Sequence, residues 1–372
     1  MKRTVWEQGS MSSTLEDTPP PELIEHTETV YLGTPGGLQY HHITAVDKLK
    51  KMDNVYLLFL RRAGAMMGSI GYVLRDAHTG DRTHKTWLIR YFSMKAPLRN
   101  KKKGTVKKRP IETRSMSMLK DITHIFHQNP ERLRDFDTQE IPQAVITGLV
   151  EKDNDRSRNF AEIGGFSKIG DVETIMFSRF RARKNIPVEQ LEVSEQPEMR
   201  KIIREFYKDY AIFHDDYIFH NNDYYVLREN GEIIAGLQAN PELWEIKTTG
   251  SGFLDFIFRF VSKFPAVRKR ISIDEMRFLG IEGMYYKPGH ENDLYRLLEG
   301  VMTLKKHYLC MLVIDVTSPL YKLFMKKKKF GPINAVVGSF EAELWAKFFS
   351  FPEEEEREIV ERPKYYSVYD NT

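Results

Sequence analysis

The stretch VEKDNDRSRNFAEIGGF, residues 150–166, decides the fold. It leaves the end of an apolar run, crosses Asp153, Asn154 and Asp155, continues as a short polar helix, and stops at Gly164-Gly165 before Phe166. Each of the three polar residues can cap a helix by accepting a free backbone N–H. The glycines end it, because glycine takes the left-handed conformation that closes a last turn. Upstream, QAVITGLVEKDN supplies a short apolar strand over 144–150; downstream, FSKIGDVETIMFSRF alternates around Gly170-Asp171 and reads as a hairpin. Taken alone, this order fits any strand-helix-strand crossover.

The unit before it narrows the choice. KTWLIRYFSMKAP, residues 85–97, is β-branched and aromatic and reads as a strand. RNKKKGTVKKR, residues 99–109, then places seven basic residues and no acidic one in a loop. Pro110 suits the first position of a helix and Glu112 its first turn. Ile111, Met118, Leu119, Ile122, Ile125 and Phe126 fall on one face of that helix. Strand, basic loop and helix N-terminus together make a phosphate-binding arrangement, because unpaired amides and the helix dipole favour an anion there. The bland alternative is a solvated loop held open by its own charge.

These stretches resemble the C-terminal half of a GCN5-related N-acetyltransferase (GNAT) domain. That family commonly has a fifth strand, an Asn, a short fourth helix and a Gly-Phe leading into the last strands. Eleven positions separate Asn154 from Gly165, the family's usual spacing. The resemblance implies that the fourth strand splays from the fifth and that the pantetheine arm of acyl-CoA lies in the V-shaped gap, paired with exposed backbone as an added strand would be. It assigns acyl-CoA contacts to Ser93, Met94, Ala96, Arg99, Lys101, Lys102, Lys103, Gly104, Thr105 and Asn154.

A second copy lies downstream. NNDYYVLRENGEIIAGLQANPELWEI, residues 221–246, is similar to the family's second and third strands joined by an Asn-Gly turn. DEMRFLGIEGMYYKPG resembles the fourth strand, HENDLYRLLEGVMTLKKH the third helix, YLCMLVIDV the fifth strand, and SPLYKLFMKKKKFGPINAVVGSFEAELW the fourth helix with a closing hairpin. Phe166 and Phe330 become equivalent, giving an internal repeat of about 160 residues. The implied fold is α/β (α+β): two tandem GNAT-like domains, each a mixed, mostly antiparallel sheet flanked by helices. The expected boundaries are a flexible segment at 1–25, domains at 26–183 and 198–350, a linker at 184–197, and a C-terminal tail at 351–372, in which PEEEERE is a solvated acidic tail or a helix start.

Departures from the family pattern bear on activity. The first phosphate loop has only Gly104 where several glycines are usual, and the second, KPGHEND, is short and weakly basic. Ala161 and Met325 stand where many members have a tyrosine that protonates the departing thiolate. Tyr91 and Tyr321 are the replacement candidates, and Glu282 is the candidate acceptor for the amine proton. Backbone amides near Ser93 and Met94 would polarise the thioester carbonyl. ITAVDKLKKMDN leaves little room for the family's two early helices.

The rest of the 372-residue chain is compatible with this. Net charge is only +4, which gives no reason to expect nucleic acid as a partner. No apolar run reaches the roughly eighteen residues of a membrane span, and the N-terminus lacks a signal-peptide core. A single cysteine, Cys310, suits a reducing cytoplasm. His41 with His42 and His124 with His127 lack partners at metal-ligand spacing, so no metal is expected. The aromatic stretch over 251–271 is core or interface, or else a membrane-surface helix or a lid over an acyl pocket. The expected activity is transfer of an acyl group, ordinarily acetyl from acetyl-CoA, to the primary amine of a small molecule or peptide. A non-catalytic acyl-CoA-binding scaffold and a long-chain acyl or aminoacyl transferase are the alternatives.

Overall fold

Short turns start the chain as a meander. Gly9-Ser10 turns β1 (Lys2–Gln8) onto β2 (Met11–Glu16), and β2 pairs antiparallel with β4 (Val55–Arg62). Between them lie α1 (Pro21–Thr29), β3 (Gln39–His42) and α2 (Ala45–Lys51). The computed structural model describes residues 2–33, 37–94, 122–179, 185–252, 255, 272 and 274–371. Residues 2–29 are thus ordered sheet and helix where the sequence suggested a flexible segment. Their polar composition concealed a strand that buries only its inner residues, with Leu15 and Ser13 fully covered. Two helices do precede β4, one of them within ITAVDKLKKMDN.

β5 (Ala65–Thr79) and β6 (Arg82–Met94) complete the first antiparallel run, followed by α3 (122–128), β7 (Ala144–Glu151), α4 (Asp155–Ile163) and β8 (Ser167–Ser178). The second half repeats the order. It has β9 (Glu189–Gln190), α5 (Gln196–Phe206), β10 (Tyr224–Glu229), β11 (Glu232–Thr248), β12 (Met276–Tyr286), α6 (Glu291–Leu304), β13 (Leu309–Asp315), α7 (Pro319–Lys327), α8 (Pro332–Val337) and β14 (Phe340–Phe349). α9 (Glu353–Glu361) and α10 (Val368–Asn371) close the chain. Asn230-Gly231 joins β10 to β11 with both residues at positive φ, the tight-hairpin geometry that Asn-Gly favours.

Among the described residues fourteen strands form one mixed, mostly antiparallel sheet flanked by helices. Its order is β1-β2-β4-β5-β6-β7-β14-β8-β13-β12-β11-β10-β9, with β3 paired to β11. The only parallel ladders among these residues are β6 with β7 and β12 with β13.

The two halves exchange strands at the centre. β14 of the second half lies between β7 and β8 of the first, while β8 pairs on its other edge with β13 of the second. The two closing hairpins expected from sequence are therefore single strands. Gly170-Asp171 is not a turn: the β8–β14 register slips there, opposite Leu344/Trp345, while β8 continues along β13 to Asp315↔Val172. With a partner on each edge, β8 satisfies its backbone without folding back. Glu242 of β11 pairs with Lys48 of α2, both buried, which ties the halves a second time.

Among the described residues no helix is long and apolar enough to cross a membrane. The segment after α9 is no solvated tail. Tyr365, Tyr366, Ser367, Val368, Tyr369 and Asp370 are all buried as the chain crosses from β13 to the first half.

Candidate functional site

β6 and β7 face each other from Lys85↔Ala144 to Leu88↔Thr147 and then part. Each keeps its other neighbour. β7 continues along β14 to Glu151↔Ala342, and β6 continues along β5 to Gly68↔Met94. On β6 the register slips between Arg90 and Ser93, which leaves Tyr91 and Phe92 opposite one residue of β5. Tyr91 sits there at φ 50°, a left-handed conformation that costs a non-glycine residue about 1–2 kcal/mol. A bulge bends its strand and re-aims the residues beyond it. The result is a gap between the strands beyond Leu88↔Thr147, the last β6–β7 register pair among the described residues.

The gap opens into a cavity of about 1060 Å³ on one face of the sheet. Its polar lining includes His26 of α1, Ser69, Arg90, Ser93, Glu151 and Asp153. Its apolar lining comes largely from the second half and includes Trp244, Ile246, Met276, Leu309, Met311 and Ile333. β3 brings Tyr40 and His42 across to this wall, where their rings stack on Trp244 at 4.2 and 4.5 Å.

In the polar lining, His26 Nε2 is 2.8 Å from Ser93 Oγ. Asp370, also in the cavity wall, has no exposed side-chain surface; its Oδ1 accepts a hydrogen bond from Arg75 at 3.0 Å and lies 3.8 Å from Arg90. Arg75 also donates to the Tyr217 hydroxyl, and His214 Nε2 stands 3.6 Å from Asp370 Oδ2. Asp370 thereby holds Arg90, a wall residue, in place.

The corresponding parallel pair of the second half also diverges. β12 and β13 are paired only from Leu279↔Cys310 to Ile281↔Leu312, and Gly283 takes φ 56° as Tyr91 does. Here the chain covers its own gap. A Cβ on Gly283 would meet Ile218 at 3.0 Å; within the paired run, one on Gly280 would meet Val368 of the C-terminal segment at 2.9 Å, and Lys364 N donates to Asp315 Oδ2.

The residues singled out from sequence divide accordingly. Ser93 and Tyr91 are in the cavity wall. The Tyr91 hydroxyl is buried without a hydrogen-bond partner among the described residues, and burial raises its pKa. Glu282 is buried outside the wall, accepting from Asn240 Nδ2 at 2.8 Å, and burial pushes its pKa up to about 7. Tyr321 donates to Glu173, which is on the opposite face of β8 from the wall residue Thr174. Asn154 caps α4, accepting from Ser157 N at 3.1 Å. The backbone of Met94 pairs with Gly68. Ala96, Arg99, Lys101, Lys102, Lys103, Gly104 and Thr105 lie outside the described residues, as do the start of the helix at 110–121 and nearly all of the aromatic stretch 253–271.

His26, Arg90, Asp370 and the Tyr40–Trp244 wall were not found from sequence. α1 carried one signal, Pro20-Pro21 followed by Glu22 in a helical first turn. Nothing in the sequence placed the C-terminal segment at the centre.

No protein-family model matches the sequence, and no curated protein sequence does either. Solved structures do. Saccharomyces cerevisiae N-myristoyltransferase with bound myristoyl-CoA and inhibitors is similar over 98% of this chain and 87% of that one, with a TM-score of 0.58 and 10% identity. The same yeast enzyme with bound myristoyl-CoA gives 0.55 at 9% identity, over 94% and 85% of the two chains. N-myristoyltransferase has a GNAT fold. So does this chain, in tandem. At this identity the likeness is one of fold, and it accounts for the paired divergences: the β6–β7 and β12–β13 gaps are the two splayed strand pairs of a doubled GNAT fold.

Proposed function

We propose that the protein is an acyl-CoA-dependent N-acyltransferase that binds its cofactor in the β6–β7 gap of the first half and passes the acyl group to an amine in the adjoining cavity. The observation that carries this reading is the divergence beyond Leu88↔Thr147 together with the cavity it opens into. A pantetheine arm, with two amides at regular spacing, hydrogen-bonds like a strand and so fits beside β6 where β7 has parted from it. The second gap is covered by residues of its own half and by the C-terminal segment, which leaves one cofactor site per chain.

The cavity favours a longer acyl group than the acetyl suggested by the family resemblance. An acetyl group needs a few tens of Å³, whereas this cavity, at about 1060 Å³, lies at the upper end of the roughly 300–1,000 Å³ typical of ligand pockets, and much of its lining is apolar. Myristoyl-CoA, the ligand of the yeast enzyme of like fold, is a chain of that kind. The acceptor is an amine of a small molecule or peptide. Cys310, buried and unpaired, suits the cytoplasmic setting that goes with this reading.

The test is a titration of the whole chain with CoA, acetyl-CoA and saturated acyl-CoAs up to myristoyl. Affinity is expected to rise at least tenfold from acetyl to myristoyl, since each buried methylene contributes up to about 0.8 kcal/mol. Thiol release is then followed with polyamines, amino acids and lysine peptides. Tight binding without release in any mixture would favour the scaffold reading. No binding would remove both.

A further inference from the structure

The cavity wall runs across strands rather than along one. In sheet order it passes from Leu149 of β7 over Ala342 of β14, Met176 of β8, Met311 of β13 and Met276 of β12 to Trp244 of β11. Neighbouring strands stand about 4.8 Å apart, so this path covers about 24 Å of sheet beyond the β6–β7 gap. Met176 faces Met311 directly across β8 and β13, and Met276 faces Trp244 across β12 and β11. Met176, Met311 and Trp244 belong to one buried hydrophobic cluster, with Met276 and Tyr40 packed against it. Such a cluster is ordinary core when other side chains cover it on every side. This one also lines the cavity, so an apolar occupant adds dispersion contacts that the wall alone does not have.

The sides of this path are soft and its far wall is stiff. Methionine is unbranched and adapts to what lies beside it. Trp244 is 6% exposed and stacks on Tyr40 at 4.2 Å and on His42 at 4.5 Å, with Phe278 edge-on at 4.9 Å. Tyr40 and His42 come from β3, which pairs with β11 at Trp244↔His42, and Phe278 comes from β12 on the other edge of β11. The indole is held by rings from both neighbouring strands.

The geometry points to an acyl subsite that crosses the sheet from the β6–β7 gap to β11, with Trp244 as the stop that limits chain length. This rests on the reading that acyl-CoA binds in that gap, and it adds the residue that selects among acyl groups. The methionines take up differences in the path of the chain. A chain that reaches Trp244 has to fold back or break the Tyr40–Trp244 stack to grow further, whereas a shorter one leaves part of the apolar wall without contacts. Removing the indole opens room for more methylenes at the far wall. An apolar part of the acceptor is the other occupant such a wall admits, and the experiment separates the two.

The experiment titrates saturated acyl-CoAs, from acetyl to well beyond myristoyl, into the full chain as wild type, Trp244→Ala, Trp244→Phe and Met311→Leu. In parallel, a myristoyl-CoA analogue with a diazirine on its terminal carbon is photolysed in the wild-type complex and the labelled residue is mapped by mass spectrometry. Wild-type affinity is expected to rise with each methylene up to a limiting length and then to level off or fall. Trp244→Ala should move that limit by at least about two carbons towards longer chains. Its acetyl-CoA affinity should stay within about threefold of wild type. Trp244→Phe keeps a ring in the stack and should move the limit by about one carbon, so the length test stands even if the alanine variant does not fold. Met311→Leu conserves volume and should leave the limit in place. The label should fall on Trp244, Tyr40 or Ile246. If the analogue binds but labels another part of the chain, or the limit stays where it is in both Trp244 variants, the subsite is overturned; a raised KM for the amine in those variants would then give the wall to the acceptor. If wild type binds no acyl-CoA of any length, the reading of the gap itself fails, and this subsite with it.

Discussion

Leu88 and Thr147 are the last residues at which β6 and β7 face each other, and Gly148 is the first residue beyond them on β7. A Cβ on Gly148 would stand 3.5 Å from Ile89 Cβ, an ordinary contact, so alanine fits there. A longer side chain has to enter the gap. Gly148→Ala should leave acyl-CoA affinity within about threefold, and Gly148→Leu should lower it at least tenfold, which is about 1.4 kcal/mol. Calorimetric titration of both variants checks this. Equal affinity in the two would place the cofactor elsewhere.

The Arg75–Asp370 pair fastens the C-terminal segment to the first half. Both side chains are buried, at 2% and 0% exposure, so this is not a screened surface pair worth a few tenths of a kcal/mol. Asp370→Asn leaves the Arg75 charge buried with Tyr217, backbone carbonyls and, farther off, the Asp216 carboxylate. Removing one partner of such a pair typically costs about 3–5 kcal/mol. Urea unfolding should show that loss, and acyl-CoA affinity should fall with it because Arg90 also loses its counter-ion. Asp370→Leu combined with Arg75→Met should recover much of the stability but not the affinity.

Glu282 predicts a pH dependence of stability. Its ordinary pKa of 4.5 is raised to about 7, chiefly by burial, with Asp370 adding to the rise. Between those values the folded state holds a proton that the unfolded chain has released. Stability therefore falls as pH rises through this window and levels off above it. A shift of two to three units is worth about 3 kcal/mol. Glu282→Gln keeps an oxygen to accept from Asn240 and has no charge to bury. Its unfolding free energy should be flatter than wild type from pH 5 to 7 and higher at pH 8, as denaturant melts would show. Matching slopes would mean that Glu282 stays ionised.

The repeat was legible because each half keeps the local signals. Asn154 caps α4, Gly165 closes it, Asn230-Gly231 turns a hairpin, and Leu279, Ile281, Cys310 and Leu312 form an apolar parallel pair. The exchange of β8 and β14 was not legible, because a strand carries no mark of which partner it pairs with; Gly170 looks the same in a turn as in a bulge. The same limit hid half the site. His26 and Ser93 are 67 positions apart, and Arg75 and Asp370 are 295 apart, so no spacing rule joins them. The exchange also means that neither half has a complete sheet alone. A chain ending at residue 183 would expose β7 and β8 along the edges that β14 covers, and should aggregate or stay unfolded by circular dichroism.

Tyr91 and Tyr321 replace in sequence the tyrosine that the family places on its fourth helix, and their surroundings argue against that role for both. Tyr321 is tied to Glu173 on the face away from the cavity, and its pKa is pushed up to about 12 by burial and by that carboxylate. Tyr91 packs against the cluster of Leu23, Leu49, Met52 and Leu57, and burial raises its pKa as well. A general acid works best with a pKa near the working pH, because it must both hold and release its proton. Neither phenol meets that condition. Tyr321→Phe should therefore change thiol release less than twofold, and Tyr91→Phe less than about fivefold, against the 10²–10⁴-fold that loss of a true proton donor brings. The measurement is thiol release from myristoyl-CoA at saturating amine, with binding of a non-transferable thioether analogue of myristoyl-CoA as the control for a disturbed site. A hundredfold fall in Tyr91→Phe with binding intact would return the proton to Tyr91.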